Sequence, residues 1–229
     1  EDGYNIKLNM DLSLQKIVQN ALDEGLRKYD KKYGYRGAID KIDIKPNEDI
    51  DFDELKKALN KINPPEKLHN FKIAVITAVE NNFIEIFSKE HEKRKIFLEH
   101  TQWAKKFITT GQIPNKNISS MSEILNLGDV ILFSQKNDTF FLEQIPEIEG
   151  AIIVTKANTG EILALTGGYS PNQKGRFNRA TQAKRQIGST IKPFVYYTGL
   201  NNNYTPASII EEEEVEFVSK EGLIWTPEN

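Results

Sequence analysis

Apolar residues recur at helical spacing near the start of the chain, at Leu14, Ile17, Val18, Ala21, Leu22 and Leu26. This spacing predicts an amphipathic helix that is capped by Ser13 and stops at Gly34. Residues 38–70 are mostly polar, but they contain a shorter amphipathic segment, FDELKKALNKI, which Asn63 and two prolines end. The first part of the chain is therefore predicted to be helical, with a connecting stretch after it.

From Phe71 the pattern changes to short apolar runs, which predict strands. The five runs read FKIAVITAV, FIEIFSK, KIFL, DVILFS and TFFLEQI, with turn residues between them. A short helix around Trp103 and the loop GQIPNKNISS are predicted between the third and fourth runs. Five strands with a helix in this place predict a small OB-like β-barrel over residues 71–145.

After Pro146 the sequence predicts a β-hairpin, AIIVTKA and EILALTGGY around the turn NTG. Both strands are apolar and β-branched, so we expect them to be fully buried within the sheet of a larger domain. Gly167 and Gly168 end the hairpin and are interpreted as a bend. A last helix, STIKPFVYYTGL, follows Gly188, and its predicted buried face consists of Ile191, Phe194, Val195 and Thr198. The predicted fold class is α+β.

Composition limits the function classes. The 229 residues suffice for one large or two modest domains, and the net charge of −3 gives no general attraction to nucleic acid. OB-like barrels often bind single-stranded nucleic acid, but residues 71–145 contain nine basic and nine acidic residues, whose charges cancel. There are no cysteines, and His69, His91 and His100 lack the spacing of metal ligands. We expect no metal, no cofactor and no nucleic-acid partner.

Ser189 and Lys192 are the candidate catalytic residues. Residues three apart on a helix lie on the same side, and a lysine kept partly neutral by burial can take the proton of a serine hydroxyl. Unpaired N–H groups of the first helical turn can stabilise an oxyanion. Ser13 and Lys16 have the same spacing, so the motif is weak by itself, but only Ser189 follows a glycine and opens an apolar helix.

The run FNRATQAKRQIGSTIKPFVY, preceded by QIPEIEGAIIVTKANTGEILALTGGY and followed by TPASII and WTPEN, resembles the class A penicillin-binding proteins. IKLNMDLSLQKIVQNALDEGLRKYDKKYGYRG is similar to the segment that leads from their glycosyltransferase domain into their transpeptidase domain, and an OB-like insertion occurs in many of them. In that family the serine matching Ser189 is acylated and the lysine matching Lys192 acts in proton transfer. Ile187 departs from the usual proline.

The resemblance implies a peptidoglycan D,D-transpeptidase that cross-links stem peptides and is inhibited by β-lactams. It implies an OB-like β-barrel inserted into the incomplete N-terminal part of a penicilloyl-serine transferase fold. The expected domains are a linker with the first part of the transpeptidase domain at 1–70, the OB-like insertion at 71–145, and the N-terminal part of the transpeptidase core with the Ser189 helix at 146–229. The parent protein is expected at the periplasmic face of the bacterial inner membrane, held by an anchor outside this sequence, since no stretch approaches the roughly 18 apolar residues of a membrane helix.

The family's S-x-N and K-[ST]-G elements do not occur after Ser189. We therefore expect a truncated chain, with only the N-terminal part of the transpeptidase domain, that is inactive by itself. The alternative is a non-catalytic OB-like binding or scaffold module of the cell envelope. For the OB-like part we expect a spacer or docking role, with an envelope protein as the candidate partner.

Charge separates strongly in the last third of the chain. No acidic residue occurs from Ile162 to Ile210, whereas this stretch contains Lys174, Arg176, Arg179, Lys184, Arg185 and Lys192. These cations would favour an anionic ligand such as a peptide carboxylate or a β-lactam, and would hinder protonation of Lys192. The alternative is a solvated basic loop whose counter-charges are elsewhere, for instance at residues 211–214.

Overall fold

The computed structural model describes residues 3, 5, 7–46, 49–66, 68, 70–90, 93–169, 177–210 and 216–226. The chain divides into two compact units, 1–183 and 184–229. Helices and strands of the first unit are α1 (Leu12–Asp30), β1 (Asp40–Lys41), α2 (Phe52–Lys61), β2 (Lys72–Val79), β3 (Phe83–Ser88), β4 (Lys93–Phe97), β5 (Asp129–Lys136), β6 (Thr139–Glu143), β7 (Ile152–Thr155) and β8 (Ile162–Thr166). Those of the second unit are α3 (Lys192–Asn201), β9 (Phe217–Val218) and β10 (Ile224–Trp225). The predicted α+β class is confirmed.

Helix α1 begins two residues earlier than the predicted cap at Ser13 implies. Asp11 is the N-cap, because its Oδ1 accepts hydrogen bonds from the backbone N–H of Ser13 at 2.8 Å and of Leu14 at 3.0 Å. Ser13 already lies inside the helix, so its prediction as the cap is wrong. The other end agrees with the sequence: a 3-10 turn, Lys31–Tyr33, leads to Gly34, whose φ of 89° is in the left-handed region.

Within the described residues, six strands form one antiparallel sheet in the order β1-β5-β2-β3-β4, and β6 pairs with β5 on the same edge as β1. The five predicted strands correspond to β2–β6. The helix predicted around Trp103 is a short 3-10 turn, Leu98–Thr101, that ends just before it.

The sheet curls, so that its two ends approach each other. The ring of His100, which follows β4, lies 5.3 Å from that of Phe141 on β6, and Arg94 lies 5.7 Å from the ring of Phe140. In the part of the chain that is described, side chains rather than a backbone ladder join β4 to β6.

Both faces of β2 are buried, which explains its unbroken apolar run. Ala74 and Ile76 face a cluster that also contains Ile84, Ile96, Ile131 and Leu142. Ile73 and Val75 point the opposite way and pack in a second cluster with Leu55 and Leu59 of α2. Alternate residues of a strand project to opposite faces, so a strand between a barrel interior and a helix must be apolar throughout.

The predicted domain boundaries, 1–70, 71–145 and 146–229, stay a prediction. Strand β1 and helix α2, which precede residue 71, pack with this sheet.

The β7–β8 hairpin packs against α1 on one side. Gln15 of α1 donates from Nε2 to the carbonyl oxygen of Leu165 and accepts from the N–H of Leu165, both at 2.9 Å. Ala164 of β8 is buried, but Ile153 and Ile162 are 46% and 49% exposed. The prediction that both strands are fully buried is therefore wrong for the described residues, because α1 covers only one face.

A buried ion pair joins the end of α1 to the two segments that enter and leave the sheet. Arg36 donates from Nη1 and Nη2 to the two oxygens of Asp30, each at 3.0 Å. Gln144 Nε2 donates to Asp30 Oδ2 at 2.8 Å, and the N–H of Glu147 donates to Asp30 Oδ1 at 3.1 Å. Side chains from residues 30, 36 and 144 thus hold both connections to one helix end.

Of the helices described, none combines the length and apolar character that a bilayer crossing requires.

Candidate active site

The segment that contains Ser189 folds as a single 3-10 turn, Gly188–Ile191, that continues directly into α3. Gly188 has a φ of 51°, a conformation that glycine adopts without strain. Pro193 lies in the first turn of α3, where a missing N–H removes no helical hydrogen bond. The helix predicted over STIKPFVYYTGL is therefore confirmed.

Ser189 and Lys192 are one turn apart at this helix start. The backbone N–H of Lys192 donates to the carbonyl oxygen of Ser189, and side chains three residues apart are eclipsed in a 3-10 turn. The two side chains therefore leave the backbone on the same side. Both are exposed, and among the described residues no hydrogen bond joins the hydroxyl of Ser189 to the amine of Lys192. The pair is brought together by the backbone but is not yet desolvated.

The apolar surface of α3 is open to solvent. Ile191, Phe194 and Val195 are 42%, 64% and 60% exposed, so the predicted buried face is wrong for this chain, because no described element packs over it. The opposite side is also apolar, with Tyr196, Tyr197 and Leu200. A helix that is apolar around its whole circumference is typical of the interior of a larger domain.

The basic residues of this region have different surroundings. Lys174 and Arg176 lie outside the described residues, as do the acidic residues 211–214. Arg179 is compensated within the first unit, since its Nη1 lies 3.5 Å from Oε2 of Glu149. Within this stretch Lys184, Arg185 and Lys192 are exposed, and they form no ion pair with any residue that the structure describes.

Gly167 and Gly168 have a role that the sequence did not reveal. A Cβ atom on Gly167 would lie 2.0 Å from Oδ1 of Asn178, and the N–H of Arg179 donates to the carbonyl oxygen of Gly167 at 3.1 Å. A Cβ on Gly168 would lie 3.2 Å from Oε2 of Glu149. The two glycines therefore let the FNRA segment cross closely over the end of β8. Its partners are distant in sequence, so the local pattern showed only a bend.

Tyr169 anchors the same crossing. It is fully buried, and its N–H donates to Oε2 of Glu149 at 2.9 Å. Burial raises the pKa of its hydroxyl to about 12, while Arg27 lowers the pKa and the charge of Asp23 raises it. A neutral tyrosine is thus held beneath the two glycines at physiological pH.

Other chemistries find no support in the described residues. His100 lies 3.5 Å from Glu99 and stacks near Phe97 and Phe141, which is a packing role. His69 and His91 lie outside the described residues. In the part of the chain that the structure covers, no group of three His, Asp or Glu side chains could hold a metal ion.

Two family profiles match consecutive parts of the chain. The profile of the penicillin-binding protein OB-like domain matches residues 35–148. The profile of the penicillin-binding protein transpeptidase domain matches residues 150–227. The curled sheet and its helix α2 fall within the first match, and Ser189 and Lys192 fall within the second.

Curated relatives carry the same name. Penicillin-binding protein 1A of Rickettsia typhi is 36% identical over 228 residues, which are 99% of this chain and 27% of the relative. Penicillin-binding protein 1A of Pseudomonas aeruginosa is 28% identical over 233 residues, 27% of its length, and that of Escherichia coli is 28% identical over 236 residues, 26% of its length. The chain thus spans about a quarter of the length of these relatives.

A solved structure agrees with these similarities. The crystal structure of penicillin-binding protein 1A from Haemophilus influenzae is 26% identical, with a TM-score of 0.72 over 96% of this chain and 30% of its own length. Sequence profiles, curated relatives and backbone therefore agree. The chain belongs to the penicillin-binding protein family: residues that match its OB-like domain are followed by residues that match its transpeptidase domain, and the relatives named here are of the 1A type.

Proposed function

We propose that this chain is part of a peptidoglycan D,D-transpeptidase that cross-links stem peptides through an acyl-enzyme on Ser189. The observation that carries the proposal is the placement of Ser189 and Lys192 on one side of a helix start, within the residues that match the transpeptidase profile. Ser13 and Lys16 have the same spacing, but they lie within the regular α-helix α1 and before the residues of that match.

The proposed reaction is acyl transfer. The hydroxyl oxygen of Ser189 attacks the carbonyl carbon of the penultimate D-alanine while the neutral amine of Lys192 takes the hydroxyl proton. The tetrahedral intermediate expels the terminal D-alanine, whose leaving nitrogen receives the proton that Lys192 had taken, and an ester on Ser189 remains. An amine of a neighbouring strand then attacks the ester carbonyl and forms the amide cross-link, and one proton of that amine passes through Lys192 to the oxygen of Ser189.

Two features of the helix start support this chemistry. The first backbone N–H groups of a helix lack intrahelical partners and can donate to the developing oxyanion. Gly188 leaves the approach to Ser189 free of a side chain. A β-lactam would acylate the same oxygen, because its strained amide carbonyl takes the place of the peptide carbonyl, and the opened ring nitrogen takes the proton.

We also propose that further protein must cover α3 before this chemistry can occur. A lysine acts as a base when burial favours its neutral form, whereas Lys192 is exposed here. The relatives are about four times as long as this chain, so they contain the material to bury the helix. The parent protein would act at the periplasmic face of the inner membrane, where its substrate strands are assembled.

Labelling of the complete parent protein with a fluorescent penicillin tests the catalytic assignment. Lys192→Ala and Ser189→Ala should both abolish covalent labelling, while Lys16→Ala, which changes the other S-x-x-K match, should label normally. Mass spectrometry of the wild-type digest should place the adduct on the peptide that contains residue 189. Normal labelling of Lys192→Ala would remove Lys192 from the mechanism, and an adduct elsewhere would remove Ser189.

The same probe tests the need for further protein. The 229-residue chain alone should give no stable penicillin adduct at a concentration that labels the complete protein fully. Stoichiometric labelling of the chain by itself would show that an exposed Ser189 and Lys192 suffice, and would refute this part of the proposal.

A further inference from the structure

A groove of about 670 Å³ lies between the C-terminal half of α1 and the OB-like sheet. Its volume is within the range of about 300–1,000 Å³ that is usual for ligand sites. Five cationic side chains line it, namely Arg27, Lys28, Lys31, Lys32 and Lys105, against two carboxylates, Glu24 and Glu143. A protein whose net charge is −3 thus carries a local excess of positive charge at a concave surface.

The two sides of the groove come from distant parts of the sequence. Residues 24, 27 and 28 share one face of α1, since they are three or four positions apart, and Lys31 and Lys32 lie in the 3-10 turn that follows the helix. Lys105 and Ile113 belong to the connection between β4 and β5, and Ser134 lies on β5. Folding therefore creates a concentration of charge that neither segment shows by itself.

Only part of this positive charge is compensated. Lys31 Nζ lies 2.6 Å from Oε2 of Glu143 and 4.5 Å from the ring centre of Trp103. Lys28, Lys32 and Lys105, in contrast, form no ion pair within the residues that the structure describes. The amine of Lys105 donates to the carbonyl oxygen of Pro114 at 3.2 Å, and that of Lys32 lies 5.2 Å from the ring centre of Tyr29, but neither contact supplies a negative charge. Three ammonium groups without an ionic partner around one groove repel each other, so a bound anion would relieve that repulsion.

The spacing of the lysines fits separate carboxylates better than one phosphate. Lys28 lies in the last turn of α1 and Lys32 in the 3-10 turn that follows it, so their backbone positions are about 7 Å apart along the axis. Side chains two residues apart on one face of an extended peptide are separated by about 6.6 Å. Bidentate phosphate binding favours arginine forks, and of the cations that line this groove only Arg27 is an arginine.

The groove also offers apolar surface. Ile113 is 59% exposed, and Trp103 lines the groove beside Lys31. An extended peptide carries further side chains between its carboxylates, and these two residues give those side chains a surface to contact.

We propose that this groove, on the α1 side of the OB-like domain, binds an extended acidic segment of a partner protein with carboxylates at alternate residues. Lys28, Lys32 and Lys105 bind the carboxylates, and Trp103 and Ile113 contact the intervening side chains. The site is a docking surface and takes no part in acyl transfer, so it stands or falls independently of Ser189.

Fluorescence anisotropy with the 229-residue chain tests the proposal. The probe is a fluorescein-labelled peptide, Glu-Ser-Glu-Ser-Glu-Ser, titrated at low and at high salt. We expect saturable binding that weakens with salt and that falls at least tenfold in the double variant Lys28→Glu, Lys105→Glu. The control is Lys16→Glu, Lys57→Glu, which changes the net charge equally at exposed positions that do not line the groove; it should bind within twofold of the wild type.

Further arms separate the alternatives. A peptide with glutamate at every third position should bind more weakly, and equal binding would overturn the spacing argument. Tighter binding of tripolyphosphate with the same lysine dependence would overturn a peptide ligand, and equal loss in the control variant, or no saturable binding, would overturn the site. If circular dichroism shows that the Glu variant is misfolded, Lys28→Gln, Lys105→Gln removes the charges without reversing them and must show the same loss.

Discussion

Replacement of Asp30 should cause a large loss of stability, because this side chain holds two chain segments to α1. Asp30 is 2% exposed and accepts hydrogen bonds from Arg36, Gln144 and the backbone of Glu147 at 2.8–3.1 Å. Asp30→Ala would take this acceptor away from all three donors in a region from which water is largely excluded, although Gln144 keeps its hydrogen bond to the carbonyl oxygen of Gly34. It would also leave the guanidinium of Arg36, whose side chain is 19% exposed, without its buried partner.

The magnitude follows from the environment of the partner. Removal of one member of a buried ion pair costs about 3–5 kcal/mol. Arg36 keeps a contact of 3.2 Å with the exposed Glu147 and a hydrogen bond of 2.6 Å to the carbonyl oxygen of Ile145, so the lower end applies. With a urea m value of about 2 kcal/mol/M, a loss of about 3 kcal/mol lowers the unfolding midpoint by about 1.5 M.

Urea unfolding followed by Trp103 fluorescence measures this effect. The background variant Trp225→Phe makes the probe specific, because Trp225 lies in the second unit. Asp138→Ala, in the exposed turn between β5 and β6, is the matched control and should change stability by less than about 0.5 kcal/mol. A midpoint for Asp30→Ala within experimental error of the control would refute the view that this ion pair joins the segments.

Three smaller perturbations test other contacts. Gly167→Ala should destabilise the first unit by about 1–3 kcal/mol in urea unfolding, because its Cβ would overlap the side chain of Asn178. Between pH 10 and 12 the free energy of unfolding of the wild type should fall more steeply than that of Tyr169→Phe. Folding raises the pKa of Tyr169 to about 12, so the tyrosine's contribution to stability is complete below its pKa in the unfolded chain and is lost as pH rises through its pKa in the folded protein. Gln15→Ala should lower the free energy of unfolding by about 1–2 kcal/mol. It should also speed hydrogen exchange at the N–H of Leu165, because the side chain of Gln15 accepts a hydrogen bond from this group in the wild type.

Each of these three predictions has a result that would contradict it. A Gly167→Ala protein with unchanged stability would show that Asn178 moves aside freely. Parallel pH profiles for wild type and Tyr169→Phe would show that ionisation of Tyr169 is not coupled to folding. Unchanged exchange at Leu165 in Gln15→Ala would show that the edge of β8 needs no cover from α1.

The sequence by itself determined α1–α3 and β2–β8, and it singled out the candidate catalytic pair. The apolar run FKIAVITAV and the three-residue spacing of Ser189 and Lys192 report contacts between near neighbours, which the periods of helices and strands dictate. The same reasoning predicted the glycine stop at Gly34, since it depends only on local backbone conformation.

Only the tertiary structure decided which surfaces meet. Apolar periodicity shows that a face needs cover but does not name the partner, so the packing of α2 on β2 could not be read from either segment. The ion pair of Asp30 also depends on Gln144, which is 114 positions away. The outcome for α3 has the same origin: its apolar residues favoured burial, but burial requires a second surface, and no described element of this chain supplies one.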